Sequence, residues 1–381
     1  MSELEYDLAS MKIVFLARYL PAEGSTTHMY AVAKNLCKRG HQIYILSRGT
    51  GGDPNANLLY ENAKAHGVRF VKLPFPLYSK ISFFTRCQQL IAYIYSIPIA
   101  LFQLYRLKPD VIHAHYPVTT YVAAIYRYLT GKQFIVTHHN MNIPKHIFNR
   151  KGDYAIAISR ELETSLRTTY GYNKDEIKLI FNGVKDHNMV LDAASVLNLK
   201  ETNGIPTDAV IFGFVGTIGT RKGVDVLIEA FAQCKHRNLH LIILGDGNVD
   251  WLKDLISKYK VQQQITLIPF RDPMEVYNMI DVLILPSRVE GFPLVPLEAM
   301  MMKKPVIRSN IEGAEDQIIE GENGYLFDSE NIMQLASIID NIAMHPEKLK
   351  TYGENAYNYV SRNFSEDLMV DQTLQVYHLA Q

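Results

Sequence analysis

Apolar residues in this chain fall in short uninterrupted runs, each ending in a loop of glycine, proline or small polar residues. MKIVFLARY, from residue 11, is the first, and a run without polar alternation predicts a parallel strand buried on both faces. The loop LPAEGSTT follows. HMYAVAKNLCKRGH then sets Met29, Val32, Ala33, Leu36 and Cys37 on one face of a predicted helix, stopped by Gly40. QIYILS restores the strand pattern and ends in RGTGGDPN. PDVIHAHYP and KQFIVTHHN are later strands of the same kind. Strand, loop, helix, strand is the unit of a doubly wound parallel sheet.

The second half repeats this grammar. AVIFGFVGTIGTRKGVDVLIEAFAQC predicts a strand, a Gly-rich loop and a helix with Leu227, Ala230, Phe231 and Cys234 on one face. HLIILGDG, QITLIPF, DVLILPS and KPVIRS are further strands, with helices at DWLKDLISKYK and DPMEVYNMI between them. The expected fold class is α/β, as two Rossmann-like doubly wound domains facing across a cleft. They meet near the polar stretch 185–205, with residues 1–190 in the first domain and 191–363 in the second. Ligands of such sheets bind beyond the carboxyl ends of the strands.

One segment breaks the pattern. LIAYIYSIPIALFQLY, residues 90–105, is apolar and aromatic, flanked by Arg86 and Arg106 and interrupted by Pro98 and Gln103. At 16 residues it is short for a membrane span. A buried or interface helix is the favoured reading, and a monotopic membrane contact through its Tyr and Phe residues is the alternative.

Composition narrows the class. Of 381 residues, 48% are hydrophobic and 20% charged, which excludes a disordered chain. Cys37, Cys87 and Cys234 are widely spaced, arguing for a reducing compartment and against a disulfide framework or thiolate zinc site. The opening MSELEYDLAS lacks an apolar signal region, so the expectation is cytoplasmic. The zero net charge conceals an asymmetry: residues 1–190 carry 23 Lys or Arg against 13 Asp or Glu, and the remainder reverses the balance. A basic first half suits an anionic partner, such as a membrane leaflet or a phosphorylated substrate. Nothing points to nucleic acid.

The chemistry concentrates in EGFPLVPLE, residues 290–298. Pro296 is expected to open a helix, where its missing N–H costs nothing, with Glu298 in the first turn. Glu290 is left in the preceding loop. Amides around Phe292, Leu294 and Val295 then offer an anion site between two carboxylates that accept hydroxyl protons. That arrangement suits a nucleotide sugar; a capped helix with one exposed Glu is the plainer explanation. GTIGTRKG, residues 216–223, adds Gly216, Gly219 and Gly223 for close backbone approach, and Arg221 and Lys222 for phosphate charge. It is neither a dinucleotide fingerprint nor a Walker loop. GDG at 245–247 ends another strand. In the first half His113, His115, His138 and His139 fall at strand ends. A substrate contact by one of them is favoured over a zinc site, because no Cys, H-x-x-x-H or HExxH helix accompanies them.

Taken together these motifs resemble family 4 of the retaining glycosyltransferases, which have the GT-B fold. EGFPLVPLEAM is similar to the family's E-x7-E motif. KIVFLARYLPAEGSTTHMYAVAKNLCKRGH, PDVIHAH, VTHHN, FNGV, FVGTIGTRKGVDVLIEAF, IILGDG, DVLILPSRVEGFPLVPLEAM and GENGYLF follow in the family's order, from residue 11 to about 365. The resemblance implies that Lys222 binds the donor diphosphate, that Glu290 contacts the transferred sugar, and that Glu298 holds the ribose hydroxyls. It places the amides of Gly291, Phe292, Pro293, Leu294 and Val295 over phosphate and sugar; Pro293 contributes backbone only. His139 is implied to lie near the donor sugar, and Gly24 in a loop approaching the diphosphate. Thr217 stands where the family usually has Arg after Gly216, with Arg221 as the nearest substitute. FSEDLMVDQTLQVYHLA, within 364–381, resembles a helix crossing back to the first domain.

The implied reaction is retaining transfer from a nucleotide-diphosphate sugar to a glycan or lipid-linked acceptor, in polysaccharide or glycolipid biosynthesis. The acceptor is held by the first domain and the donor by the second, on the cytoplasmic side and peripheral to a membrane. No cofactor or obligatory metal is implied, and no DxD motif lies in a suitable loop. The leaving phosphate can itself take the acceptor's proton. The alternatives are a sugar-nucleotide epimerase and a non-catalytic nucleotide-sugar-binding protein of the same fold.

Overall fold

A computed structural model of the chain describes residues 10–76, 83–115, 117–139, 149–186 and 189–381, and within the helix Phe83–Leu107 the side chains from Ile91 onward. Cys87 therefore lies outside the described side chains. The chain forms two compact units, Met1–Asn182 with Glu366–Gln381, and Gly183–Ser365.

The first unit is built on β1 (Lys12–Leu16), β2 (Gln42–Ser47), β3 (Arg69–Lys72), β4 (Val111–Ala114), β5 (Phe134–His138), β6 (Tyr154–Ala157) and β7 (Ile177–Leu179). They pair, all parallel, in the order β3-β2-β1-β4-β5-β6-β7. Burial on both faces explains why β1 reads as continuous KIVFL. Ile13 and Phe15 pack with helices Gly24–Lys38 and Glu366–Leu379, while Val14 and Leu16 pack with helices Phe83–Leu107 and Pro117–Thr130. The last helix is fixed by polar contacts as well, since Asp367 and Asp371 pair with Arg39.

The second unit contains β8 (Val210–Val215), β9 (Leu239–Gly245), β10 (Ile265–Pro269), β11 (Val282–Leu285), β12 (Val306–Asn310) and β13 (Gly324–Asp328). Their order is β10-β9-β8-β11-β12-β13, again parallel. In both sheets the strand order reverses beside the first strand, between β1 and β4 and between β8 and β11. At such a switch point the adjacent loops part and leave a crevice at the strands' carboxyl ends. Asn182 and Gly183 mark the division, earlier than the polar stretch 185–205. The physical reason is that Val184 donates to the Phe364 carbonyl at 2.8 Å, tying this segment to the second unit. Part of the polar stretch is itself helical, Ala193–Thr202.

The apolar segment 90–105 belongs to the longer helix Phe83–Leu107, which contains Pro98. Ser96, Ala100 and Leu104 on its inner face are buried, whereas Ile91, Ile94, Tyr95, Ile99, Phe102 and Tyr105 are exposed. The expectation of a buried helix thus holds for one face only. Among the described residues no helix is long and apolar enough to cross a membrane.

Candidate active site

In the second unit the switch point is lined by the two loops that carry the sequence's charged candidates. β8 runs into Gly216, Thr217, Ile218 and Gly219, then a single turn at Thr220–Lys222, then helix Val224–Gln233. The reversal depends on Gly223, whose φ of +67° is left-handed and whose Cβ, if it had one, would lie 1.9 Å from the Pro286 carbonyl oxygen. Only glycine lets this turn sit against the end of β11. The loop is also clamped sideways, because Ile218 donates to the Asp246 carbonyl at 2.6 Å and Asn248 donates back to Ile218 at 3.0 Å. This gives the GDG stretch a structural role.

β11 leads through Ser287 and Arg288 to Glu290. Lys222 Nζ meets Glu290 Oε1 at 2.6 Å, and Ser287 Oγ donates to the same oxygen at 2.6 Å. The two charged side chains are only 17% and 8% exposed, so each is the other's main replacement for water. Arg288 pins the two loops together. Its guanidinium forks onto Asp225 at 2.8 and 2.9 Å and reaches Glu330 at 2.8 Å, and its backbone N–H donates to the Arg221 carbonyl at 2.9 Å. Thr217 and the Arg221 side chain are both exposed.

The helix after Glu290 spans Leu294–Met301, with Pro293 as its extended cap. It therefore begins two residues before Pro296, and Glu298 sits in the second turn rather than the first. The correction has a simple cause: the first four N–H groups of a helix have no intrahelical acceptor, so proline is tolerated at the third position as well as the first. The amides of Leu294 and Val295 are first-turn amides, and Gly291 precedes them at the loop's crest. Phe292 turns inward and packs against Phe364, with ring centroids 5.5 Å apart. Glu298 is half-buried and accepts a hydrogen bond from the buried Tyr277 hydroxyl at 2.8 Å. Burial raises its carboxyl above the ordinary range, and the Tyr277 bond opposes that rise.

A buried network supports this loop from behind. Arg308, in the middle of β12, is completely buried and donates to the Glu312 carbonyl at 3.1 Å, the Gly313 carbonyl at 3.3 Å and Gln317 Oε1. Gln317 in turn donates to the Pro293 carbonyl at 2.9 Å, and Ser309 Oγ donates to the Ser287 carbonyl. Gly313 packs so closely that a Cβ there would lie 2.9 Å from the Gly291 carbonyl oxygen. Arg308 and Ser309 thus brace both ends of the segment 287–293. Sequence reasoning missed Ser287, Arg288, Tyr277, Arg308 and Gln317. Only Ser287 and Arg288, inside DVLILPSRVEGF, carried a local signal.

The first unit gathers its candidates at its own switch point. Helix Gly24–Lys38 starts at Gly24 itself, earlier than expected, because extended Glu23 caps it and accepts from Thr26 and Thr27 at 3.0 Å. Gly24 is therefore the first helical residue and not part of the loop. One turn on, His28 meets the His139 ring edge-on, with centroids 5.3 Å apart. His115 Nδ1 and His139 Nε2 are 3.0 Å apart. His113 faces the interior, held between the Tyr377 hydroxyl at 2.8 Å and Thr137 Oγ1 at 2.7 Å. Burial is the main cause that pushes the pKa of His28 down to about 4, His113 to about 3 and His138 to about 4; His115 and His139 also fall well below the usual value. The cluster is neutral at pH 7. Among the described residues no group of three or more His, Cys, Asp or Glu is placed to hold a metal ion.

Two family models match the chain in succession: Glycosyltransferase Family 4 over residues 22–187, and Glycosyl transferases group 1 over 195–359. They span most of its length. The chain belongs to the family 4 glycosyltransferases. Among similar proteins, an uncharacterised glycosyltransferase of Methanocaldococcus jannaschii is 26% identical, covering 72% of this chain and 76% of its own. The D-inositol 3-phosphate glycosyltransferase of Corynebacterium urealyticum is 24% identical, covering 93% and 90%. Anabaena HepE, solved in complex with UDP, superposes with a TM-score of 0.81 at 21% identity, covering 97% of this chain and 100% of its own. The two parallel-sheet units are those of a GT-B glycosyltransferase, and the activity of this family 4 member is glycosyl transfer.

Proposed function

We propose that this family 4 glycosyltransferase moves a sugar, with retention at the anomeric carbon, from a nucleotide-diphosphate sugar to a glycan or lipid-linked acceptor in polysaccharide or glycolipid assembly. The observation that carries the reading is the Lys222–Glu290 pair at the switch point of the second sheet, beside the first turn of helix Leu294–Met301. A cation and unused helix amides at one place suit a diphosphate. A carboxylate next to that cation suits the sugar it carries, and Glu298, the fifth residue of the helix, suits the ribose hydroxyls. HepE, solved with UDP and with UDP-glucose, supports a nucleotide-sugar donor of this kind.

As the anomeric C–O bond to the nucleotide diphosphate breaks, negative charge grows on the departing phosphate oxygens. Lys222 and the amides from Gly291 to Val295, Pro293 excepted, lie ready to stabilise that charge, with the exposed Arg221 as a second cation. These groups are fixed by the Arg288 fork and the Arg308 network, so little reorganisation is needed during reaction. The acceptor hydroxyl attacks on the face from which the phosphate leaves, and the phosphate takes its proton. Glu290 contacts the sugar near the reacting carbon. In the first unit we assign the neutral His139, with Gly24 at the head of its neighbouring helix, to substrate contact. In this scheme the protein's own cations do the work of charge neutralisation.

The test is transfer from a panel of nucleotide sugars to simple glycan and lipid-linked acceptors, with the product anomer assigned by NMR. A product with the donor's anomeric configuration is expected, formed without loss in the presence of a chelator. Inversion, or turnover of the donor to an epimer with no acceptor required, would overturn the reading.

A further inference from the structure

The outer face of helix Phe83–Leu107 poses a physical problem that glycosyl transfer does not explain. Ile91, Ile94, Tyr95, Ile99, Phe102 and Tyr105 recur at helical spacing on one side, and Ile94, Tyr95, Phe102 and Tyr105 are 61% to 66% exposed. Ser96, Ala100 and Leu104 on the opposite face are buried, so from Ile91 onward apolar side chains lie on both faces of the helix. A helix covering a sheet normally turns charged residues to water, and a contiguous exposed apolar stripe marks a surface that something covers. The stripe continues onto the next helix: Tyr105 lies near Tyr126 of Pro117–Thr130, whose last turn exposes Tyr128 and Leu129.

Charge identifies the occupant. Residues 83–135 carry five Arg or Lys and a single acid, Asp110. Asp110 is committed elsewhere, accepting the Lys12 backbone N–H at 2.7 Å, and Arg127 pairs with Asp153. Arg106 and Lys108 remain exposed at the end of the stripe, with Lys132 nearby in sequence beyond Leu129. A second copy of this face would bring like charges together, whereas an anionic leaflet complements them. Tyrosines mixed with isoleucine and phenylalanine suit the headgroup boundary, where a ring has one apolar side and one polar tip. No described helix can span the bilayer, so this one would lie in its plane.

We propose that the exposed stripe of helix Phe83–Leu107, with Arg106 and Lys108, is a docking surface for an anionic lipid bilayer. The surface acts whatever sugar or nucleotide the enzyme uses. The experiment is co-sedimentation of the full chain with vesicles of phosphatidylcholine alone and of phosphatidylcholine mixed with phosphatidylglycerol, at low and high salt. Wild type should partition onto the mixed vesicles at low salt and be partly released by high salt. Ile94→Glu with Phe102→Glu should weaken partition about tenfold or more on a chain that melts like wild type. Arg106→Glu with Lys108→Glu should weaken it only where the anionic lipid is present. No partition of wild type at low salt would overturn the proposal. So would a concentration-dependent dimer that Ile94→Glu with Phe102→Glu dissolves, since the covering partner would then be a second copy.

Discussion

Lys222 and Glu290 are 68 positions apart in sequence and form one buried ion pair, 2.6 Å from nitrogen to oxygen. A donor phosphate would compete with Glu290 for that ammonium. This separates the two residues experimentally. Lys222→Ala should lose both nucleotide affinity and turnover, with turnover down by roughly 10²–10³. Glu290→Gln removes the competitor, so nucleotide affinity should hold or rise while turnover falls by at least about tenfold. Calorimetry with the nucleotide and steady-state rates on the same preparations check both. A Glu290→Gln enzyme with full turnover would remove that residue from the reaction.

The network behind the loop predicts a different signature. Arg308→Met keeps an unbranched stem but leaves the Glu312 and Gly313 carbonyls and Gln317 without their buried donor. Each orphaned acceptor costs about 1–3 kcal/mol, so a clear drop in melting temperature is expected. Because Gln317 also holds the Pro293 carbonyl, the donor KM should rise more than kcat falls. Arg308→Lys should recover part of both. An Arg308→Met enzyme that melts and turns over like wild type would show that the loop holds itself.

Acid sensitivity follows from the histidines of the first unit. His28, His113 and His138 have folded pKa values lowered to about 4, 3 and 4 from 6.5. Between those values and 6.5 the unfolded chain binds protons that the folded chain refuses, so stability is full above about pH 6.5 and is lost as pH falls. Each such histidine gives a slope of about 1.4 kcal/mol per pH unit in that window. Three together should cost more than about 3 kcal/mol by pH 5. Melting curves from pH 7.5 to 5 measure this, and a flat profile would contradict neutral burial.

How far the sequence can be read depends on where each feature's cause lies. β8 and β11 are legible because burial on both faces demands unbroken apolar runs, and Lys222 and Glu290 because they sit in the loops those runs end in. The start of helix Leu294–Met301 was misplaced because proline is equally content anywhere in a first turn. Arg308 was invisible for another reason. In KPVIRS it looks like the solvent end of a strand, and only the turn at Glu312–Gln317, folded over it, makes it a buried donor. The helix Phe83–Leu107 shows the same limit: an apolar run announces hydrophobicity, but which face is covered is settled by its neighbours. Gly24 and the histidines lie between these cases. Their gathering follows from strand order, which local pattern suggests but does not fix.

The most direct test of the donor site is isothermal calorimetry of UDP, GDP and ADP against wild type, Lys222→Ala and Glu298→Ala. One nucleotide series should bind wild type selectively. Lys222→Ala should weaken it through the diphosphate, and Glu298→Ala should weaken it through the ribose. Binding by none of the three, or binding indifferent to both substitutions on correctly folded protein, would contradict a nucleotide-sugar site at the switch point of the second sheet.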